Sequence, residues 1–244
     1  MSNLDTSKKN FITVLSEDND YGKAALAHAR KLCQIFKAEL LEYPIVKSLK
    51  SKTICKFNEE NNSMLMVFGI SSKSSFFTPK KALHWIQVSR IPCLCTSCFE
   101  PEPDAYKHVI LPLNVRKQDK EKALWAGYFH RFYQSTIHIL YRRYKDAFLK
   151  QNIRDNLLFT EKLYANLNVN YEVHCVDSAD ENIDSFAFTY APELHATLTV
   201  VLMTNHYNMA DLILGPQELG VLRKINRIPV LCINERDDLY VLCT

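Results

Sequence analysis

The stretch Ser89-Arg90-Ile91-Pro92-Cys93-Leu94-Cys95 recurs as Asn226-Arg227-Ile228-Pro229-Val230-Leu231-Cys232. Upstream, Phe77-Thr78-Pro79 aligns with Leu214-Gly215-Pro216 at the same sequence spacing. In both copies an apolar run starts with proline, which a strand tolerates at its first position. The repetition indicates two copies of one structural unit, each ending in such a strand.

The two copies also begin alike, because Lys9–Tyr43 can be laid on Lys107–Tyr141 without a gap. Each has a short apolar run, a polar loop, a stretch with helical spacing and a second apolar run. Strands that alternate with amphipathic helices are typical of parallel sheets with crossover helices. The pattern predicts an α/β fold of two tandem doubly wound, mostly parallel sheets of the five-stranded type.

The second copy is the longer one. Apolar residues recur at helical spacing over 146–166, alternate as in a strand over 170–175, and return to helical spacing over 178–190. The first copy has only residues 44–62 where the extra helix and strand would lie. We therefore expect the first copy to be a trimmed unit.

The proline-punctuated stretch Phe99-Glu100-Pro101-Glu102-Pro103-Asp104 separates the copies and has the composition of a linker. We assign residues 1–98 to a first domain, 99–106 to the linker and 107–244 to a second, complete domain.

The composition fits a globular protein and argues against several classes. Apolar residues make up 47% of the 244 residues, enough for a substantial core. The net charge is only +3, without a basic stripe interleaved with aromatic residues, so nucleic acid is not an expected partner. Apolar runs such as Met64–Ile70 are too short to cross a bilayer, and no apolar signal region opens the chain. We expect a cytoplasmic protein whose 8 cysteines are reduced thiols.

Two parts of the second copy carry a resemblance to a known family. They are the opening strand Lys107–Asn114 and the closing unit, which runs from Gly215 to Arg223 and then from Ile228 to Ile233. With these parts the chain resembles the universal stress protein family in its tandem form, over nearly its whole length.

The resemblance implies a universal stress protein or adenine nucleotide alpha hydrolase-like fold, Rossmann-like in its layers, with helices on both faces of the sheet. It also implies that the last strands of the halves pair antiparallel within one chain, residues 92–97 with residues 229–234, as a pseudo-dimer. The residues themselves agree, because an apolar edge strand needs a cover. Whether whole chains form a homodimer stays open.

Some members of the family bind ATP. Those members have an Asp at the end of the first strand. After the fourth strand they have one continuous motif, in which Gly-x-x-Gly is followed by nine residues and then by Gly-Ser or Gly-Thr. Glycines let the backbone approach phosphates, beyond the carboxyl ends of the strands. In this chain Thr204-Asn205-His206-Tyr207 stands where Gly-x-x-Gly is expected, and a proline follows the last glycine. By these matches the candidate crevice residues are Asn114, Thr204, Asn205, His206, Gly215 and Pro216 in the second half, and Ser16 and Gly69 in the first.

Side chains thus stand where a triphosphate needs bare backbone. We expect a non-catalytic stress-response protein that acts by binding or assembly, with a degenerate nucleotide crevice. The resemblance suggests ATP or another adenine nucleotide as a ligand, and a different nucleotide or a small anion in the same crevice stays open. A divergent nucleotide sensor, with Asn114 and Thr204–His206 as hydrogen-bonding groups, is the first alternative. A small hydrolase or a thiol or metal enzyme, using His206 or the cysteines near residue 95, is the second.

Four other features receive structural interpretations. Thr78-Pro79 and Gly215-Pro216 have the form of helix starts, with threonine or glycine as the cap and proline in the first turn. Cys93-x-Cys95-x-x-Cys98 lacks a second ligand pair, so we interpret it as packing and expect no metal. Tyr141–Lys145 is interpreted as the start of the extra helix. Histidines 28, 130 and 138 lie in predicted regular structure and receive no chemical role.

Overall fold

Strands and helices alternate within each half of the computed structural model, which describes residues 9–71, 73, 75–177, 182–203 and 217–235. The elements of the first half are β1 (Phe11–Ser16), α1 (Asp20–Phe36), β2 (Glu39–Pro44), α2 (Ser51–Glu60), β3 (Ser63–Gly69), α3 (Pro79–Val88) and β4 (Cys93–Thr96).

The second half repeats the alternation with one more strand. Its elements are β5 (His108–Leu113), α4 (Lys120–Tyr133), β6 (Thr136–Arg142), α5 (Ala147–Asn166), β7 (Tyr171–Val176), α6 (Ile183–Tyr190), β8 (Leu198–Met203), α7 (Gln217–Arg223) and β9 (Val230–Asn234). A 3-10 turn at Lys117–Asp119 precedes α4.

Within the described ranges these strands form one nine-stranded sheet in the order β2-β1-β3-β4-β9-β8-β5-β6-β7. Neighbours pair in parallel, except that β4 and β9 pair antiparallel, with Leu94 opposite Leu231. The predicted mostly parallel α/β architecture with a trimmed first half is confirmed, and the two units share one continuous sheet. The ladder between β4 and β9 joins residues 93–95 to residues 230–232. It is shorter than the predicted stretches 92–97 and 229–234, since both prolines and the last two residues of each stretch lie outside it.

Residue alternation along the strands explains why helices cover both faces. Ile12 and Val14 contribute to the core under α1, α4 and α5, whereas Leu15 faces the core under α2, α3 and α7. The inner strand β8 is buried along its whole length, while the edge strands β2 and β7 are half exposed. Among the described helices, none is both long and apolar enough to span a bilayer.

Side-chain caps set several helix starts. The Thr78 hydroxyl accepts a hydrogen bond from the Lys81 amide at 3.4 Å, and Pro79 occupies the first turn of α3, so the predicted cap is confirmed. The second predicted helix start, Gly215-Pro216, lies outside the described residues.

The prediction that Tyr141–Lys145 starts a helix is wrong. Tyr141 and Arg142 extend β6, because they pair with Cys175 and Val176 of β7. Helix α5 begins only at Ala147, where the Asp146 carboxylate accepts a hydrogen bond from the Leu149 amide at 2.9 Å. Pairing with β7 keeps Tyr141 and Arg142 in β6, although the sequence pattern changes there. The cap at Asp146 then sets the start of α5.

The seam between the halves is made by β4, β9 and the linker. Cys93, Cys95 and Cys232 are buried in it, with the Cys95 and Cys232 sulfurs 3.9 Å apart, whereas Cys98 is exposed. The linker packs against α1, since Lys31 Nζ donates to the carbonyls of Glu102 and Pro103, both at 2.6 Å.

Candidate functional site

The crevice of the second half lies where β5 and β8, two parallel neighbours, reach their carboxyl ends. Asn114 follows β5, and the 3-10 turn and the first turn of α4 rise from there. Helix α4 covers one face of the sheet and α6 the other, so side chains that join these helices must pass across the crevice.

Lys122 makes that crossing. It lies in the first turn of α4, and its side chain has no solvent-exposed surface. Its ammonium group donates to the Pro112 carbonyl at 2.5 Å and lies 3.0 Å from the Asp119 carboxylate and 3.4 Å from the Asp184 carboxylate of α6. A buried lysine therefore lies behind the crevice, and its two carboxylate partners line it.

The three charges of this cluster depend on one another. Burial opposes ionisation of Lys122, but Asp119 and Asp184 outweigh it and raise the pKa of the lysine. Burial, reinforced by the nearby Asp119, raises the pKa of Asp184. The lysine therefore stays protonated, and its charge is balanced by carboxylates inside the protein. The cluster contains two acidic groups and one basic group.

Asn114, the counterpart of the family's Asp, is used locally. Its side-chain oxygen accepts a hydrogen bond from the Val115 backbone amide at 2.9 Å, and its backbone amide donates one to the Asp119 carboxylate. Asn156 of α5 donates to the carbonyls of Asn114 and Arg116, both at 2.7 Å, which fixes the loop. Asn114 thus shapes the turn after β5 with its hydrogen-bonding groups.

Pairs of side chains narrow the entrance. Arg116 lies 4.0 Å from Glu218 of α7, and Asn182 donates to Gln217 at 2.5 Å. The cavity that these residues and Asn114 border measures about 10 Å³, which is the space of about one water molecule and far below the roughly 300 Å³ of a small-ligand pocket. The other second-half candidates, Thr204, Asn205, His206, Gly215 and Pro216, lie outside the described residues.

The first half places its two candidates at the ends of neighbouring strands. Ser16 ends β1, and its carbonyl accepts from the Ile45 amide at 2.9 Å. Gly69 ends β3, where a Cβ would lie 2.6 Å from the Tyr21 carbonyl oxygen. The glycine is therefore required for the close approach of α1 to β3.

Glu17 closes the first-half loop. Its carboxylate accepts from the Phe76 amide and the Ser75 hydroxyl, both at 2.6 Å. These are the kinds of donor that would hold a phosphate, and the chain's own anion takes them. An open cavity of about 350 Å³ lies nearby, beside the seam, with Lys73 and Arg223 among its lining residues.

No protein-family model matches the chain, and no curated protein matches it. Solved structures do match. A protein of unknown function from Pseudomonas aeruginosa PAO1 is 12% identical with a TM-score of 0.61, covering 96% of this chain and 95% of that one. A protein described as a universal stress protein from Pseudomonas aeruginosa UCBPP-PA14 is 14% identical with a TM-score of 0.61, covering 96% of both chains. A universal stress protein from Archaeoglobus fulgidus DSM 4304 is 15% identical with a TM-score of 0.58, covering 88% of this chain and 77% of that one.

The chain has the universal stress protein fold. The resemblance inferred from the sequence is therefore confirmed at the level of architecture, over nearly the whole chain.

Within the universal stress protein fold, sequence reasoning missed the charged residues at the described part of the crevice. Asp119 and Lys122 stand three apart in a polar stretch, a spacing that is also typical of a solvated helix end. Asp184 lies 62 residues further on, and nothing in the sequence links it to them. Glu17 was missed for the same reason, since its partners Ser75 and Phe76 belong to a distant loop.

Proposed function

We propose that this chain is a non-catalytic stress-response protein of the universal stress kind, which acts by binding or assembly rather than by using ATP. The observation that carries the proposal is the buried Lys122–Asp119–Asp184 cluster, which crosses the second-half crevice and leaves a cavity of about 10 Å³. A cytoplasmic location fits, because every cysteine in the described ranges is a free thiol.

Charge supports the same conclusion. A triphosphate needs donors or cations that are not already paired, near a backbone that it can approach. Lys122 faces two carboxylates, and Arg116 pairs with Glu218. A polyphosphate in this crevice would meet Asp119, Asp184 and Glu218, and it would have to displace ion pairs to reach a cation.

The seam cysteines favour a structural role over thiol chemistry. Burial raises the pKa of Cys93 well above the usual range, and burial together with Cys232 does the same for Cys95. A thiol nucleophile acts as its thiolate, so these groups stay protonated and inert.

Internal pairing of the halves is the assembly that we propose for one chain. At the seam Asn234 of β9 donates to the carbonyls of Ile86, at 2.5 Å, and Ser89, and Ser97 donates to the Asn226 carbonyl. Each half thus satisfies backbone groups of the other, beyond the β4–β9 ladder. One chain supplies both partners of the pair, as the family's tandem form implies.

A thermal-shift series with ATP, ADP, AMP and inorganic triphosphate tests the proposal. We expect no rise in the unfolding midpoint with any of them at millimolar concentration. The nucleotide-sensor alternative predicts a stabilisation of about 2.7 kcal/mol at a hundredfold excess over the dissociation constant, lost in Asn114→Ala. Such a shift would overturn the proposal. If the shift survived Asn114→Ala and vanished in Arg223→Ala, the ligand would lie in the cavity beside the seam.

A further inference from the structure

Three neighbouring strands place histidines together on the sheet face that α6 covers. His108 begins β5, His138 lies in β6, and Glu172 and His174 lie in β7. The pairing register puts Ile110 beside His138 and His138 beside Glu172, so these side chains share one face. His108 stands at the amino end of its strand, whereas the crevice lies beyond the carboxyl ends.

Three donor atoms of this group form a small triangle. His138 Nδ1 lies 3.2 Å from His174 Nε2 and 3.3 Å from Glu172 Oε2, and His174 Nε2 lies 3.5 Å from the same carboxylate oxygen. Zinc bonds of about 2.0–2.1 Å place the ligands of a tetrahedral site about 3.3–3.4 Å apart. The triangle therefore already has the dimensions of one face of a tetrahedral metal site.

We propose that His138, His174 and Glu172 bind a divalent transition-metal ion, with Zn²⁺ as the ion of best-matched geometry. Two imidazoles and one carboxylate leave the fourth tetrahedral position to water or to an external ligand, as in open zinc sites. Imidazole nitrogens favour zinc, copper and nickel, whereas Mg²⁺ and Ca²⁺ prefer oxygen ligands.

His108 is placed as a positioning residue for the same ion. Its Nδ1 lies 3.1 Å from Nε2 of His138, the nitrogen that faces away from the triangle, and the two rings stack with centroids 5.3 Å apart. When Nδ1 of His138 binds the ion, its Nε2–H can donate to His108. Such a partner fixes the tautomer and the ring orientation of a metal-binding histidine.

The group combines one buried ligand, which is held rigidly, with two ligands that solvent can reach. His138 is 4% exposed and cannot turn away freely. The side chains of His174 and Glu172, on the edge strand β7, are 20% and 60% exposed, so an ion can reach them from solvent. The three ligands come from two hydrogen-bonded strands, which hold their separation without a bound ion.

Zinc titration of the whole chain, after treatment with a chelator and its removal, tests this site. We expect one Zn²⁺ per chain by competition with a chromophoric chelator, and four-coordinate visible spectra when Co²⁺ is used instead. His174→Gln and Glu172→Gln should abolish the competition, and His108→Phe should weaken it by about 10–100-fold. His84→Gln, at an exposed histidine of α3, is the matched control and should leave the affinity unchanged.

Circular dichroism of each variant distinguishes lost ligands from lost structure. The proposal would be overturned if folded His174→Gln and Glu172→Gln bound Zn²⁺ as tightly as the wild type. It would also be overturned if His84→Gln lost as much Zn²⁺ affinity as these two variants. This outcome is independent of nucleotide binding, because the triangle shares no residue with the crevice.

Discussion

Nζ of Lys122 in α4 and Oδ1 of Asp184 in α6 lie 3.4 Å apart at the carboxyl edge of the sheet, although the two helices cover opposite faces. The pair joins the two layers of the second half at the place where other open α/β sheets hold their ligands. We propose that this contact takes the place of a bound ligand at that edge.

Loss of the lysine should be costly for that reason. Lys122→Met takes the nearest cation away from Asp119, which is buried, and from Asp184, which is largely buried. Removal of one partner from a buried pair costs about 3–5 kcal/mol. Urea denaturation measures this change in the free energy of unfolding. Lys117→Met, at an exposed lysine of the preceding turn, should change it by less than about 0.5 kcal/mol.

The double variant Lys122→Met/Asp184→Asn should recover part of the loss, because it removes one of the stranded carboxylates. If Lys122→Met were as mild as Lys117→Met, the lysine could not be the buried, paired charge described here.

Gly69 offers a second test, because its role concerns space and not ligands. Gly69→Ala would bring a methyl group within 2.6 Å of the Tyr21 carbonyl oxygen, and overpacking of this kind typically costs about 1–3 kcal/mol. Gly220 of α7 has nothing within 4 Å of the corresponding position, so Gly220→Ala should be neutral or stabilise by up to about 1 kcal/mol. Chemical denaturation of both variants checks the contrast, and equal effects would contradict it.

His28 should make stability depend on pH. It is buried against Tyr106 and the Phe99 carbonyl, and burial lowers its pKa from 6.5 to about 4. Between these values the unfolded chain binds a proton that the folded chain does not, so stability is full above pH 6.5 and falls as the pH drops towards 4. The loss amounts to up to about 3 kcal/mol.

Denaturation midpoints of wild type and His28→Gln at pH 7 and pH 5 measure the slope. The variant should lose less stability than wild type on acidification, whereas His84→Gln, at an exposed site, should keep the wild-type slope. Identical slopes for wild type and His28→Gln would show that His28 titrates alike in both states.

The seam can be tested at Asn234. Its side-chain amide donates to the carbonyls of Ile86 and Ser89 from the other half, so Asn234→Ala leaves two buried acceptors without that donor. We expect a loss of about 1–3 kcal/mol by urea denaturation. Asn226→Ala, at an exposed position of the same half, should change stability little; a wild-type value for Asn234→Ala would argue against the seam as described.

The architecture was predictable because its signals are local or repeated. The two Arg-Ile-Pro stretches mark the strands β4 and β9. Short apolar runs indicate other strands, and alternation of apolar residues over 170–175 indicates β7. The error at Tyr141–Lys145 arose where a strand ladder overrides the local pattern, since only the partner strand β7 shows that β6 continues to Arg142.

The crevice was harder to predict, because its decisive contacts join residues far apart in sequence. Lys122 reads as a surface lysine until α6 brings Asp184 to it. The histidine cluster had one local signal, Glu172-x-His174, whose spacing puts both side chains on the same face of a strand. The third member, His138, is identified only by the register of β6 with β7.

Isothermal titration calorimetry of the chain with magnesium ATP tests the central claim most directly, because it measures binding itself and needs no catalytic turnover. If the crevice is filled as we propose, the heats will be no larger than those of dilution at millimolar ATP. Saturable heats with one ATP per chain, reduced when Asn114 is replaced by alanine, would show that the second-half crevice opens to a nucleotide.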